Sequence, residues 1–233
     1  MPKSTPPPSS RAASPSKKTK KKKIVKNSKT GETVEVDEVV VEAQVPMKAP
    51  IKVSVTGGAG QIAYSLLPSL LSGSVFGADQ PVFLQLLDIP PAMVALEGVI
   101  MEMQDLREPL YAGAIGTSDP EVAFKDADYV VFLGAFPRKA GMERKDVMQK
   151  NIGIFNAQGA ALSAFAKPDV KCVVVGNPAN TNAAILARAA PNVPKQNISA
   201  LTRLDHNRCV SMVAAKAGVP LDAIVRGPAS RLL

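Results

Sequence analysis

The chain has 233 residues, 46% of them hydrophobic, enough for one large domain or two small ones with a sizeable core. No apolar run approaches the roughly 18 residues of a membrane-spanning helix, which excludes that class and points to a soluble protein. The net charge of +8 is not spread over the chain: residues 1–30 hold ten Lys and Arg and no acid, leaving 18 basic against 20 acidic residues in the remaining 203. The basicity therefore belongs to an arm, and the slightly acidic bulk does not read as a general nucleic-acid binder.

The two cysteines, Cys172 and Cys209, fall in stretches that read as buried strand and helix. They do not form a disulfide framework, and with a single histidine, His206, no metal site is expected. A reducing compartment fits this usage.

Residues 1–30 combine Pro6-Pro7-Pro8 and Ser14-Pro15 with a lysine run over 17–23. Such a segment buries too little apolar surface to offset its ordering entropy, so disorder is expected. The run suits a solvated arm, a nuclear localisation signal or a contact to polyanions. It is basic through Lys, where an organellar transit peptide uses Arg, and it lacks the apolar core of a secretory signal. Thr33–Val41 alternates enough for a short edge strand, and Pro46 and Pro50 bracket a linker. These features set a first region at 1–49, a main domain at 50–202 and the start of a further one at 203–233.

From Ile51 strands alternate with helices. Strands are expected at Ile51–Thr56, Val82–Leu87, Tyr129–Leu133, Val170–Val175 and near Ile198–Leu201. Helices are expected from Gly60 to about Ser72, over Ala92–Leu106, briefly at Asp119–Lys125, then over Lys145–Ala166, Thr181–Ala189 and Asp205–Ala217. Pro68 should kink or split the first helix. The stripe Met93, Leu96, Val99, Ile100 and Met103 reads as packing surface. The alternation implies an α/β protein with a Rossmann-type, doubly wound parallel sheet.

Three stretches point to chemistry. In the first, the strand ending at Thr56 meets Gly57, Gly58 and Gly60 and opens a helix. Such a turn brings backbone N–H groups and a positive dipole end to a diphosphate, although Val55 stands where a full G-x-G-x-x-G has its first glycine. Asp88, at the end of the second strand, can accept hydrogen bonds from both ribose hydroxyls and repel a 2′-phosphate, which favours NAD over NADP. Its distance from Gly57 exceeds the usual interval of about 20 residues, and the insert 73–81 accounts for the excess. The second stretch, 134–144, follows a buried strand and carries Arg138 and Arg144, cations suited to bidentate grip of carboxylates. The third, 201–208, sets Asp205 and Arg208 three residues apart at a helix start.

These stretches, with Leu86-Leu-Asp-Ile-Pro90 and Gly176-Asn-Pro-Ala-Asn-Thr-Asn182, resemble the NAD-dependent malate dehydrogenases of the cytosolic type, within the lactate/malate dehydrogenase family. The resemblance runs from about residue 50 to residue 220. It implies reversible hydride transfer between malate and oxaloacetate with NAD as cofactor, in the cytoplasm, by a homodimer that uses no membrane. It implies that Gly57 and Gly60 form the diphosphate loop, with Gln61, Ile62, Asp88, Asn151 and Asn177 also touching the cofactor. Arg138, Arg144, Asn177 and Arg208 would hold the substrate, Arg144 polarising the carbonyl that receives the hydride. Asp205 would orient a catalytic histidine; His206 is not that residue and reads as a helix-start packing group. The family's Gly-Asn-His stretch has no match here, since the chain reads Ile224-Val-Arg-Gly-Pro and ends at Leu233. The expectation is a chain lacking most of the C-terminal catalytic domain, and the alternative is a non-catalytic NAD-binding fragment.

Overall fold

A computed structural model describes residues 18–26, 33–41, 47–137 and 141–224. The chain divides into two compact units, residues 1–47 and 48–233. The division falls close to the linker that the prolines mark, while the segment after residue 203 belongs with the second unit.

The described part of the first unit is a hairpin. Strand β1, Lys18–Lys26, pairs antiparallel with β2, Thr33–Val41. The alternating pattern anticipates β2. Strand β1 corrects the expectation of disorder for that stretch. Its register sets Lys21 opposite Glu38, Lys22 opposite Asp37 and Val25 opposite Val34. Lys18, Lys20 and Lys23 stand opposite Val41, Val39 and Val36. The expectation of disorder for residues 1–17 lies outside the described residues.

The second unit is a six-stranded parallel sheet in the order β5-β4-β3-β6-β7-β8. Its strands are β3 (Ile51–Thr56), β4 (Val82–Leu87), β5 (Tyr111–Thr117), β6 (Tyr129–Phe132), β7 (Lys171–Val174) and β8 (Ile198–Ala200). Its helices are α1 (Gln61–Leu71), α2 (Met93–Asp105), α3 (Pro120–Phe124), α4 (Arg144–Phe165), α5 (Ala179–Ala189) and α6 (Arg203–Ala217). This is the doubly wound arrangement, with its switch point between β3 and β6. Pro68 does not split α1, because it falls in the last turn, where Ser72 N–H still donates to the Pro68 carbonyl at 3.0 Å.

Strand β5 was not anticipated. Its sequence, Tyr-Ala-Gly-Ala-Ile-Gly-Thr, has neither a β-branched run nor strict alternation. It forms because the outer edge of β4 offers unpaired backbone groups. At Gly113 (φ 129°) a Cβ would lie 3.0 Å from the Phe83 ring, beside the register shift between Val82 and Phe83. The strand is thus shaped by its neighbour.

The core has two parts. Strands β3 and β4 with α1 and α2 enclose Val53, Val55, Leu67, Leu71, Leu84, Leu86 and Leu96. The methionine stripe of α2 packs here, as its spacing implies, with Leu96, Val99 and Met103 buried. Strands β6 and β7 with α3, α4 and α5 enclose the second part. There Phe124, Phe132 and Phe155 are tilted against one another at centroid distances of 5.8 and 6.0 Å. On the face of β4 toward α3 lies Gln85, the polar exception in an apolar strand, only 2% exposed. Its amide donates to the Lys125 carbonyl at 3.0 Å, and Ser54 Oγ donates to the Ala123 carbonyl at 2.7 Å. These bonds satisfy the end of α3 from inside the sheet.

At the amino edge of the sheet, Asp128 accepts from Lys52 N–H at 2.8 Å and pairs with the Lys167 ammonium. The Lys52 ammonium pairs with Asp126 at 3.0 Å. Hydrogen bonding to Lys52 holds the Asp126 carboxyl below its ordinary range. None of the helices among the described residues is long and apolar enough to cross a membrane.

Cys172 lies on buried β7, where burial pushes its thiol up to about 12, while Cys209 is exposed on α6. A thiol reagent at mildly alkaline pH is therefore expected to titrate Cys209 alone in the native chain, and both cysteines after unfolding in guanidinium. Fast reaction of both thiols in the native state would place β7 outside the core.

Candidate functional site

Parallel strands put their C-terminal ends on one edge, and four loops meet there. The first leaves β3 at Gly57, the second leaves β4 at Asp88, the third leaves β6 at Leu133 and the fourth leaves β7 at Val175.

The first loop is tightly constrained. Gly57 has φ 70°, and a Cβ there would sit 3.0 Å from both the nitrogen and the Cα of Gly134. Only glycine meets both demands without strain. Gly58 N–H donates to the Leu87 carbonyl at 3.1 Å, and Gly60 N–H donates to the Gly57 carbonyl at 3.0 Å. Gly60 is the N-cap of α1, with no side-chain cap and no acid in the first turn. No side chain of α1 itself therefore caps its first N–H groups or offsets the positive end of its dipole.

Asp88 closes this loop from the side. One carboxylate oxygen accepts from Ala59 N–H at 2.9 Å and the other from Ile89 N–H at 2.8 Å. Asp88 N–H in turn donates to the Thr117 carbonyl at 3.1 Å, so unanticipated β5 helps to seat it. The sequence places Gly57 and Asp88 apart by an insert, and the structure brings them to one turn.

The third and fourth loops form a cleft of about 630 Å³, lined by Ile62, Leu133, Ala135, Phe136, Pro137, Val147, Met148, Val175, Gly176, Asn177 and Pro178. The walls are apolar except for Asn177. Ile62, 64% exposed, stands on α1 between this cleft and the glycine turn. Gln61 is the first residue of α1 and is exposed.

The other expected residues fare differently. Arg138 lies outside the described residues. Arg144 opens α4 behind a capping box made by Glu143 and Asp146, and its side chain is outside the described set. Asp205 and Arg208 do share one side of α6, with nitrogen and oxygen 3.6 Å apart, but both are exposed (73% and 69%) and neither lines the cleft. An exposed pair of this kind contributes about 0–1 kcal/mol. His206 faces a second cleft of about 660 Å³ with Val210, Leu221 and Asp222.

Asn151, expected at the cofactor, is 0% exposed in the free chain. Its amide oxygen accepts from Phe136 N–H at 2.8 Å and its amide nitrogen donates to the Val147 carbonyl at 3.0 Å. Three supporting residues carried no signal of their own in the sequence. Thr56 Oγ1 accepts from Gly134 N–H at 3.1 Å, Asn182 Nδ2 donates to the Gly176 carbonyl at 2.9 Å, and the Lys150 ammonium stands 4.2 Å from the centre of the Phe136 ring. Asn182 sat inside a quoted motif, but only the fold shows what its side chain holds.

Residues 51–199 match the family model for the lactate/malate dehydrogenase NAD-binding domain. The chain belongs to the lactate/malate dehydrogenase family. It is 57% identical over 178 residues to the cytoplasmic malate dehydrogenase of Rattus norvegicus, covering 76% of this chain and 53% of that one. It is 58% identical over 173 residues to the Gallus gallus enzyme, covering 74% and 52%. Among solved structures, malate dehydrogenase of Naegleria fowleri superposes with a TM-score of 0.72 at 48% identity, over 77% of this chain and 55% of that chain. A Trichomonas vaginalis lactate dehydrogenase in complex with NADH and oxamate superposes with a TM-score of 0.68 at 44% identity, over 74% and 52%. The chain thus spans about half the length of the curated relatives it matches. Membership carries the Rossmann-type fold and the NAD-binding domain expected from the sequence.

Gly57→Ala is expected to cost about 1–2 kcal/mol from the left-handed backbone alone, with the approach to Gly134 adding to it. A lowered urea midpoint checks this, and an unchanged midpoint would show that the turn relaxes freely.

Proposed function

We propose that this chain binds NAD at the glycine turn and serves the interconversion of malate and oxaloacetate. One observation supports the reading above the others: Asp88 and the uncapped α1 N-terminus flank a turn that a single Cβ at Gly57 would obstruct. The turn suits a diphosphate, with charge supplied by backbone N–H groups. Asp88 would take the adenosine ribose hydroxyls, exchanging or sharing its present backbone donors. Its negative charge disfavours a 2′-phosphate.

The other half of the dinucleotide would then run past Gln61 and Ile62 into the apolar cleft. When bound, NAD supplies a site that accepts or returns a hydride. The apolar walls exclude water from that site. Asn177, the one polar side chain on the cleft wall, would orient the substrate oxygen. Arg138 would select the second carboxylate, Arg144 would polarise the carbonyl and Arg208 would pair with the remaining carboxylate. Asp205 would steady a histidine acid/base, much as a carboxylate steadies an imidazolium in other enzymes.

A second reading starts from the histidine of this sequence, His206, which lines another cleft and not the apolar one. General acid/base catalysis contributes about 10²–10⁴-fold, so hydride transfer that relied on these residues alone would be slow. On this reading the residues shown bind NAD and do not turn over by themselves. The cytoplasm, where the named relatives work, is the proposed location, and a homodimer the proposed assembly.

Calorimetry with NADH and NADPH, followed by NADH oxidation with oxaloacetate, separates the readings. Binding of NADH in preference to NADPH, with turnover, supports the enzyme. Binding without turnover supports the second reading. No binding of NADH by the folded chain removes both. Turnover by a chimaera that adds the C-terminal half of a relative would tie these residues to the reaction.

The lysine-rich hairpin strand is proposed as a contact for polyanions or a targeting signal. Replacing Lys20–Lys23 with serines should abolish salt-dependent retention on heparin if the strand is that contact. Retention that is unchanged by the replacement removes the role.

A further inference from the structure

We propose that Asn151 is a positioning residue whose buried side chain sets the spacing between two walls of the cleft. The inference rests on the NAD reading only for the identity of the ligand that occupies the cleft.

The two walls approach from different elements. Phe136 and Pro137 belong to the loop after β6, and Val147 and Met148 to the first turns of α4. Residues 138–143 separate them in sequence. Asn151 lies behind both, fully buried, and bridges them with one amide: its oxygen accepts from Phe136 N–H at 2.8 Å and its nitrogen donates to the Val147 carbonyl at 3.0 Å. The donor bond stays within α4. The acceptor bond is the one that crosses to the loop.

Strand β6 ends at Phe132, and the ladder to β3 closes with Gly134 N–H on the Thr56 carbonyl at 3.0 Å. Past that point a side chain of α4 accepts from the half-buried Phe136 N–H, and a hydrogen bond of this length ties the loop to α4 at one distance. Lys150, the preceding residue, adds its ammonium over the Phe136 ring at 4.2 Å. The opposite wall uses the same device, where Asn182 on α5 holds the Gly176 carbonyl at 2.9 Å. Each flanking helix thus carries one buried asparagine that fixes the adjacent loop.

The test uses the full chain as wild type and Asn151→Leu. Leucine has a similar volume and no polar atom. Native-state hydrogen exchange should show the Phe136 amide exchanging at least about tenfold faster in Asn151→Leu, with the amides of β3 and β7 unchanged. NADH should bind about five- to tenfold more weakly to this variant, the scale of one lost hydrogen bond. ADP-ribose, which lacks the nicotinamide and would sit at Asp88 and the glycine turn, should bind as it does to wild type. Should Asn151→Leu fail to fold, Asn151→Ser, whose shorter hydroxyl does not span to Phe136, gives the same two readings.

Unchanged exchange at Phe136 overturns the proposal. So does equal weakening of NADH and ADP-ribose, which marks general destabilisation. Failure of the wild type to bind NADH removes the NAD reading instead, and the exchange measurement still decides whether Asn151 sets the spacing.

Discussion

The ligand edge depends on the approach of the Gly57 turn to Gly134, where an added Cβ would come within 3.0 Å of two backbone atoms. It lies at the junction of β3 and β6, where the strand order reverses. The turn after β3 leads into α1, whose core partners are β3 and β4, while the loop after β6 leads to α4, which packs with β6 and β7. The chain therefore parts in two directions from adjacent strands, and the gap between the departing loops is the crevice where doubly wound sheets bind ligands. Any side chain at this junction would push the two loops apart. Their separation sets both the glycine turn and the cleft behind it.

Buried polar groups do the finer positioning. Apolar packing holds elements together but tolerates small slips, whereas a buried hydrogen bond is satisfied only at one distance and angle. Ser54 and Gln85 seat the end of α3 from inside the sheet. Thr56, Asn151 and Asn182 each bind one loop of the ligand edge. Five buried polar residues are present among the described residues, and three of them serve that edge. The cleft can then remain almost wholly apolar on its surface, because the groups that fix its walls lie behind them.

Charge is divided in the same functional way. Lysines crowd β1, whereas two ion pairs of the second unit, Lys52–Asp126 and Lys167–Asp128, stand at the amino edge of the sheet. At the ligand edge Asp88 stands with both oxygens already engaged by backbone N–H groups. That carboxylate is thus held in one orientation before any ligand arrives, which lowers the ordering cost of binding.

The sequence by itself determined the fold class, the order of its principal strands and helices, the glycine turn and the strand-end carboxylate. These depend on short-range pattern: apolar runs for buried parallel strands, helical spacing for α2, and glycine where the backbone must turn. The family likeness was legible for the same reason, since its motifs are contiguous. Only the tertiary structure decided what depends on neighbours distant in the chain. Strand β5 has weak intrinsic preference and exists because β4 offers an edge. Strand β1 pairs with β2 where its lysines alone would favour a solvated coil. Asn151 reads along the chain as one more polar residue of a helix, and only the fold shows that its amide spans from α4 to the Phe136 N–H. A residue's chemistry can be read along the chain, but the face it presents is set by the element that packs against it.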